Sequence, residues 1–491
     1  MAVVALRATP TLRRQALLLA LAAGLSGFTI LRGYGPHDEG LMLQWAARIA
    51  GGEWPYRDFW SNYAPGQAVL LAGLVKLFGP SLLWWRILRV AIDALVALLA
   101  YRLVRRDASE CWALAAWVAV AGAMAFPTGP GPNPTALLLA FAALYVARLA
   151  PAEGGVLAGL ATAFRPEIGI AAAIGAALEA RRGAEWRVLA AAAAALALAL
   201  LPFAVVAGGD MAGQVVGFLG LQSRQRLPFP LHPHVGLDPN KLLEFYFPLI
   251  LLVSAALWAV ALAARRADRR SRALVPLVLA GVAYLLGRTD EFHLVPLSAA
   301  LAVGLAVAAA RTEQAPLRAA LAVALGLIAL HGLERRAGQL VHPPALAPVP
   351  AAVADGVRTS PADATALRRL IAAVRRRTPH GEPVLVAPPR FDRVRFGDPM
   401  LYVLLDRPDP TRYDVMQPGV VTTAKVQREM VRDLERTRTP VVVRWEAPAA
   451  RALEPNGSAR SSGVHLLDRY IARRYARAAR YGDYVLLARR R

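Results

Sequence analysis

Residues 33–79 read GYGPHDEGLMLQWAARIAGGEWPYRDFWSNYAPGQAVLLAGLVKLFG, and the reading of the whole chain turns on them. The stretch follows a first apolar segment and opens on two adjacent acids, Asp38 and Glu39. It closes with Tyr63, Ala64, Pro65 and Gly66 ahead of another apolar run. Between these ends lie His37, Arg48, Glu53, Arg57 and Asp58, a dense set of ionisable groups in a largely apolar chain. Charge beside hydrocarbon is expensive, so a membrane chain with two carboxylates next to its first span is expected to use them.

The surrounding chain supports a membrane setting. Its 491 residues are 56% hydrophobic, with a mean hydropathy of +0.39. The apolar residues bunch into runs of roughly 15 to 24, near the span of a bilayer core. A polytopic α-helical membrane protein follows. The formal net charge of +23 could point to nucleic acid. However, the arginines gather in short clusters at the ends of apolar runs, as cytoplasmic topology signals facing an anionic lipid surface do. No nucleic-acid partner is expected. Lysine is limited to Lys76, Lys241 and Lys425 while Ala and Arg abound, the usage of a GC-rich bacterial genome and hence of a bacterial plasma membrane. The single cysteine, Cys111, rules out an intrachain disulfide and a thiolate metal cluster. Arg7, Arg13 and Arg14 precede the first apolar run, and no small-residue cleavage site follows, so an uncleaved first helix with a cytoplasmic N-terminus is expected.

Spans are expected at 15–31, 82–104, 112–126, 135–149, 186–206, 245–264, 274–286, 294–310 and 317–330. Two further short helices meet at Phe164, Arg165, Pro166 and Glu167 within 154–182, too short to cross fully, so Arg165 and Glu167 are expected to face a cavity. The run 66–78 is also too short for a span and reads as a helix in the outer interface. This makes about eleven spans, with the arginine clusters inside and the C-terminus outside. The segments 33–65, 208–244 and 287–293 then become external loops. Transmembrane residues 1–335 are followed by a proline-rich linker, 336–350. Residues 351–491 read as a soluble extracytoplasmic α/β domain, with strands at 383–387, 440–443 and 484–488 and helices at 367–376 and 423–436.

Three polar clusters share the outer side under this topology: Asp38 with Glu39, Arg165 with Glu167, and Arg288 with Asp290, Glu291 and His293. An acid pair with separated arginines suits transfer of a group from a phosphate leaving group. A carboxylate acts as general base, and guanidinium forks neutralise the departing phosphate by bidentate hydrogen bonds. Each feature also has a plainer reading. The acids could cap an interfacial helix, Arg288 could snorkel, and Arg165 with Glu167 could be an internal salt bridge. His232, His234 and His293 lack tight ligand spacing, so no cofactor is expected, and a divalent cation is the alternative.

The first loop resembles that of the C-type glycosyltransferase superfamily, in particular its protein O-mannosyltransferase and aminoarabinose lipid A transferase branch. The resemblance rests on Asp38-Glu39-Gly40, on Gly52-Glu53-Trp54-Pro55-Tyr56-Arg57-Asp58 and on Tyr63-Ala64-Pro65-Gly66. It continues in Leu77-Phe78-Gly79 and in Arg86 and Arg89. Gly155 to Leu160 ahead of Arg165 resembles a second segment. Gly287-Arg288 with His293 to Pro296 resembles the late loop that contacts the lipid phosphate. The resemblance covers roughly residues 15 to 330 and implies inverting transfer of a sugar, from a polyprenyl-phosphate donor to a glycan, lipid or protein acceptor on the outer face. Carried over, Asp38 is the base and Glu39 its positioning partner. Arg288, Arg165 and His293 would lie on the phosphate side, and Glu53, Arg57, Asp58 and Tyr63 would belong to the substrate-binding loop. One departure stands out. The branch often has Lys-Pro-Pro or His-Pro-Pro where this chain has Tyr63-Ala64-Pro65-Gly66, so a basic phosphate ligand is missing there. Two rival functions remain open from the residues: a transporter or flippase of lipid-linked sugar, and a non-catalytic envelope-assembly scaffold. A transporter is expected to show repeat symmetry and mid-membrane charges in several spans, and no clear repeat is visible.

Overall fold

A computed structural model describes residues 10–125, 131–222, 225–229, 238–264 and 272–490. His232 and His234 lie outside the described residues, as do Arg7 and the cluster Arg265, Arg266, Arg269 and Arg270.

Helix α1 (Pro10–Gly27) starts and stops four to five residues before the expected span, because Pro10 is preset for a first helical turn and Gly27 favours an end. The stretch 33–79 then forms α2 (Asp38–Ala50) and α3 (Gly66–Phe78). Next comes α4 (Leu82–Arg105), whose N-terminus is capped by the Ser81 hydroxyl accepting the Leu83 N–H at 3.2 Å. Then follow α5 (Glu110–Ala125), α6 (Asn133–Val146), α7 (Pro151–Phe164) and α8 (Pro166–Glu179). The two half-helices α7 and α8 meet at Arg165, which is extended (φ −141°, ψ 103°), since Pro166 disfavours helical backbone in the residue before it. After α9 (Glu185–Ala207) the expected loop contains a helix, α10 (Gly209–Gln222), whose Phe218 packs edge-on to Trp60 at 6.2 Å. The series ends with α11 (Pro239–Ala264), α12 (Val275–Gly287), α13 (Glu291–Arg311) and α14 (Ala315–Val341). α14 runs eleven residues past its expected end. Its polar extension is held by Arg335, which pairs with Glu244 at 2.5 Å and Glu291 at 3.1 Å. Among the described residues, four helices are long and apolar enough to cross a membrane: Glu185–Ala207, Lys241–Ala264, Glu291–Arg311 and Ala315–Val341.

Beyond α14 the chain alternates strands and helices. A short antiparallel pair, β1 (Ala347–Pro348) and β2 (Arg358–Thr359), leads to α15 (Pro361–Arg375). Then come β3 (Val384–Ala387), α16 (Met400–Leu405), α17 (Ala424–Arg436), β4 (Val441–Trp445), α18 (Pro448–Arg451) and α19 (Leu466–Arg474). A hairpin of β5 (Tyr475–Tyr481) and β6 (Tyr484–Arg489) closes the chain. The sheet order is β3-β4-β6-β5, with β3 and β4 parallel and the other pairs antiparallel. Val386 lies opposite Val443, and Val443 opposite Leu486, so the apolar strands meet in the middle. β5 was not expected. As an edge strand reading YARAARY it has almost no buried face to betray it.

Two cores result. One is an alanine-rich helical core running through α1, α4 to α9 and α11 to α14, where small side chains let helices approach closely. The other joins the C-terminal sheet and helices to Leu41, Met42, Trp45 and Ala46 of α2, to Phe59 and Trp60, and to Leu71 and Trp85. The stretch that follows α1 therefore packs into the C-terminal α/β structure. Gly40 shows how close the approach is. A Cβ there would lie 2.1 Å from the backbone nitrogen of Met400, which itself donates to Pro36 O at 3.1 Å.

Candidate active site

The adjacent acids at the start of α2 have opposite surroundings. Glu39 is buried and clasped by Arg86 of α4, with Nε to Oε1 at 2.8 Å and Nη2 to Oε2 at 3.0 Å. The Gly35 N–H also donates to Glu39 Oε2 at 2.6 Å. The remaining Arg86 donors reach the carbonyls of Ile30 and Gly33 at 2.6 and 2.8 Å. Glu39 is thus a clamp between the loop and the helical bundle. The Asp38 side chain is 43% exposed, and its ion-pair contact is His37 Nε2 at 4.0 Å. Only Asp38 is free to face a ligand, and His37 Nδ1 beside it is buried without a partner.

Asp38 lies within electrostatic range of Tyr63, and from Tyr63 a chain of polar and aromatic contacts crosses to the C-terminal α/β structure. Tyr63 is half-buried, and its phenol is pushed up by loss of solvent, with the Asp38 charge raising it further and Arg165 opposing. The Arg165 guanidinium sits 5.9 Å from the Tyr63 ring and 4.6 Å from that of Tyr284, pairs with Glu167, and leaves its buried Nε without a partner. Tyr284 stacks on His293 with ring centroids 4.0 Å apart, and Asn133 Nδ2 donates to the Tyr284 hydroxyl at 3.4 Å. His293 Nδ1 meets Asp290 Oδ1 at 2.5 Å, and Arg288 Nε donates to Asp290 Oδ2 at 2.9 Å. Burial works to raise the Asp290 carboxyl, but hydrogen bonds and charge from His293 and Arg288 overcome it and hold the group well below the usual range. Arg288 then grips Glu454 of the C-terminal part in a fork, Nη2 to Oε1 at 2.8 Å and Nη1 to Oε2 at 3.1 Å.

The three clusters read from the sequence are therefore brought together. Glu53, Arg57 and Asp58 are elsewhere: α2 separates them from Asp38 by about 18 Å at 1.5 Å per residue. There Arg48 holds Glu53 at 2.7 Å and Asp414 at 2.9 Å, while Asp58 takes Arg57 and the Trp54 N–H, both at 2.7 Å. Sequence reading missed Tyr284, Asn133 and Glu454, none of which carried a local signal. It also missed Tyr56, a buried residue at φ 70° whose hydroxyl donates to Tyr63 O at 2.7 Å and so holds the end of the loop.

A single group among the described residues places metal-ligating side chains together: Asp392, His465 and Asp468. The Asp392 carboxylate there is already engaged by Arg390 and Ser461.

No family model matches the sequence, and no curated protein matches it. Solved structures do. ArnT from Cupriavidus metallidurans bound to undecaprenyl phosphate aligns over 98% of this chain and 98% of its own, with TM-score 0.56 and 15% identity. Its apo state gives TM-score 0.58 and 14% identity over the same shares. The archaeal oligosaccharyltransferase AglB from Archaeoglobus fulgidus, in complex with an inhibitory peptide and a dolichol-phosphate, covers 88% of this chain and 69% of its own, with TM-score 0.50 and 14% identity. At these identities the likeness is one of fold, and the chain has the fold of the C-type glycosyltransferases. With its long apolar helices, that fold makes it a multi-pass membrane protein.

Proposed function

We propose that this chain is a membrane glycosyltransferase. It moves a sugar from a polyprenyl-phosphate donor to an acceptor hydroxyl of a glycan, lipid or protein on the outer face, with inversion and with Asp38 as general base. In this reading the helical part makes eleven crossings with the N-terminus inside, and residues 351–491 lie outside. The observation that carries the proposal is the separation of roles between adjacent acids. Glu39 is neutralised by Arg86, and Asp38, one residue away, is left exposed at the head of the polar chain leading to Arg165, His293 and Arg288. The fold supports it, since the similar structures include one with undecaprenyl phosphate and one with a dolichol-phosphate.

In the reaction, Asp38 takes the proton of the acceptor hydroxyl as that oxygen attacks the anomeric carbon. The bond to the phosphate oxygen breaks on the opposite face, and the departing phosphate carries the electron pair. Cationic forks oriented before the reaction stabilise that charge without reorganisation. Arg165 is well placed for this work. It lies over Tyr63 and so returns a cation to the part of the loop where the family's basic residue is absent. Tyr284 and Glu167 hold its guanidinium in place. The membrane-embedded charges that would serve a transporter are tied up instead: Asp93 is bonded to Arg89 and to the Ser26 hydroxyl, each at 2.6 Å.

The test is envelope glycan composition in cells carrying the wild type, Asp38→Asn or a deletion, with membrane insertion of each variant confirmed. The expected result is loss of the same sugar from the Asp38→Asn and deletion cells. A normal glycan in the Asp38→Asn cells beside an altered one in the deletion would overturn the base assignment.

A further inference from the structure

The loops 389–395 and 446–459 of the C-terminal α/β structure enclose a cavity of about 300 Å³. Four arginines line it, Arg390, Arg393, Arg395 and Arg451, against two carboxylates, Glu446 and Glu454. Neither acid has charge to spare. Glu446 is shared by Arg451 at 2.7 Å, Arg480 at 2.8 Å and Arg444 at 3.8 Å. Glu454 Oε1 takes Arg288 Nη2 at 2.8 Å and Arg395 Nε at 3.4 Å, and Oε2 takes Asn456 Nδ2 at 2.9 Å. Arg390 is satisfied by Asp392. The half-buried Arg393 guanidinium makes no hydrogen bond or ion pair with the described residues. The lining thus has an excess of fixed positive charge, in forks suited to planar or tetrahedral oxyanions.

We propose that this cavity is a binding site for an anionic group, a phosphate or carboxylate presented by the acceptor side of the reaction, and that the Glu454 carboxylate occupies its inner edge until the anion arrives. The proposal rests on the glycosyltransferase reading, because it is the shared Glu454 that joins the cavity to Arg288 of the candidate active site. Glu454 is a natural placeholder. It accepts donors as a phosphate oxygen pair would, and it sits in a stretch without helix or strand, between α18 and a single turn of 3₁₀ helix at Gly457–Ala459. Burial works against its charge, yet the Arg288 hydrogen bond and the arginine charges hold its carboxyl below the ordinary value. An oxyanion that displaced it would meet Arg395 and Arg393 directly.

The experiment is calorimetric titration of the full chain in lipid nanodiscs with inorganic phosphate, with dihexanoyl phosphatidic acid and, separately, with undecaprenyl phosphate. Saturable phosphate binding is expected, weakened tenfold or more by Arg393→Gln and by Arg395→Gln and tightened by Glu454→Gln. Phosphatidic acid binding tenfold tighter than phosphate assigns the site to a lipid headgroup, and equal affinities assign it to a soluble anionic acceptor. Undecaprenyl phosphate affinity should stay within twofold of wild type in Arg393→Gln. The proposal is overturned if neither phosphate nor phosphatidic acid binds saturably, or if both arginine variants bind as wild type. It is also overturned if Arg393→Gln weakens undecaprenyl phosphate as much as phosphate, because the cavity is then only part of the donor site. Asp38→Asn should retain wild-type phosphate affinity. Normal sugar transfer by that variant would refute the base assignment while leaving the titrations to decide the cavity.

Discussion

Glu39→Gln should loosen the loop that carries both acids far more than Asp38→Asn, although the two are neighbours in sequence. The amide keeps the shape of the Glu39 side chain but withdraws the charge facing Arg86, which is only 8% exposed. The carbonyls of Ile30 and Gly33 still solvate the guanidinium and cannot neutralise it. Breaking one partner of a buried pair costs about 3–5 kcal/mol, because the other charge is stranded. That energy falls on the loop, since the same carboxylate accepts the Gly35 N–H. If the loop opens locally, amide exchange over residues 33–41 should accelerate by roughly a hundred- to several thousandfold, at about 1.4 kcal/mol per tenfold. Asp38 is exposed, with a single distant partner, so Asp38→Asn should change stability by no more than about 0.5 kcal/mol. Its transfer rate should nevertheless fall by roughly 10²- to 10⁴-fold, the usual worth of a general base. The combination Glu39→Gln with Arg86→Met should cost less than the two single changes together, because no unpaired charge is left buried. Hydrogen exchange with mass spectrometry on nanodisc-embedded protein reads the loosening, and a sugar-transfer assay on the same samples reads the rate. Wild-type protection in Glu39→Gln, or equal loosening in Asp38→Asn, would refute the division of roles.

Gly40→Ala should undock α2 from α16, since a Cβ 2.1 Å from the Met400 backbone nitrogen cannot be accommodated without moving one helix. Limited proteolysis within 33–65 and loss of transfer would report it, and a fully protected, active variant would show that the contact yields cheaply. Asp398→Asn tests pH dependence. Burial pushes the Asp398 carboxyl up to about 7 from an ordinary 3.8, against the Tyr484 hydroxyl, which donates to it at 2.8 Å and lowers it. Between these values the folded chain holds a proton that the unfolded chain releases, so this group's stabilisation is complete below about pH 4 and is lost as pH rises towards 7. Thermal unfolding from pH 4 to 8 should therefore show a decline in the wild type that Asp398→Asn flattens, with the variant the more stable at pH 8. Identical slopes in the two proteins would remove Asp398 from the account.

Much of this was visible in the sequence wherever one physical rule acted alone. Apolar runs located the helices of the bundle, and Pro166 after Arg165 located the break between α7 and α8. The β-branched runs of β3 and β4 located the centre of the sheet. Errors arose where tertiary contacts decide the outcome. The polar end of α14 is helical because Arg335 finds Glu244 and Glu291, 91 and 44 residues away. β5 exists because β6 offers it an edge. At the site, three clusters of charged residues could be read and grouped, because ionisable side chains are conspicuous in an apolar chain. Tyr284 was invisible inside an apolar helix, Asn133 stood at the end of a proline-rich turn that such a residue suits by itself, and Glu454 was hidden in a polar tail where acids are common. Which of two adjacent acids is free could not be read from the residues themselves, and only the resemblance singled out Asp38. Helical geometry points consecutive side chains about 100° apart, and only the position of Arg86 selects Glu39 for burial.

The placement of Asp38 therefore depends on both cores. One side of α2 is tied to the bundle through Glu39 and Arg86. The far end of the same helix is tied to the C-terminal part through Arg48 and the fully buried Asp414, while Gln44 reaches that carboxylate at 3.1 Å. Between the two ties, Leu41, Trp45 and Phe59 are buried in the same apolar cluster as Val386, Val443 and Leu486 of the sheet. Burying side chains of this size stabilises by about 1.5–3 kcal/mol each, so the α/β part supplies most of what holds the loop ordered over the bundle. An acid on a short helix has no other means of keeping its position, because a helix of 13 residues is marginal by itself. The C-terminal structure thus acts as the second wall of the candidate site, and any change that shifts it relative to α4 shifts Asp38 relative to Arg165.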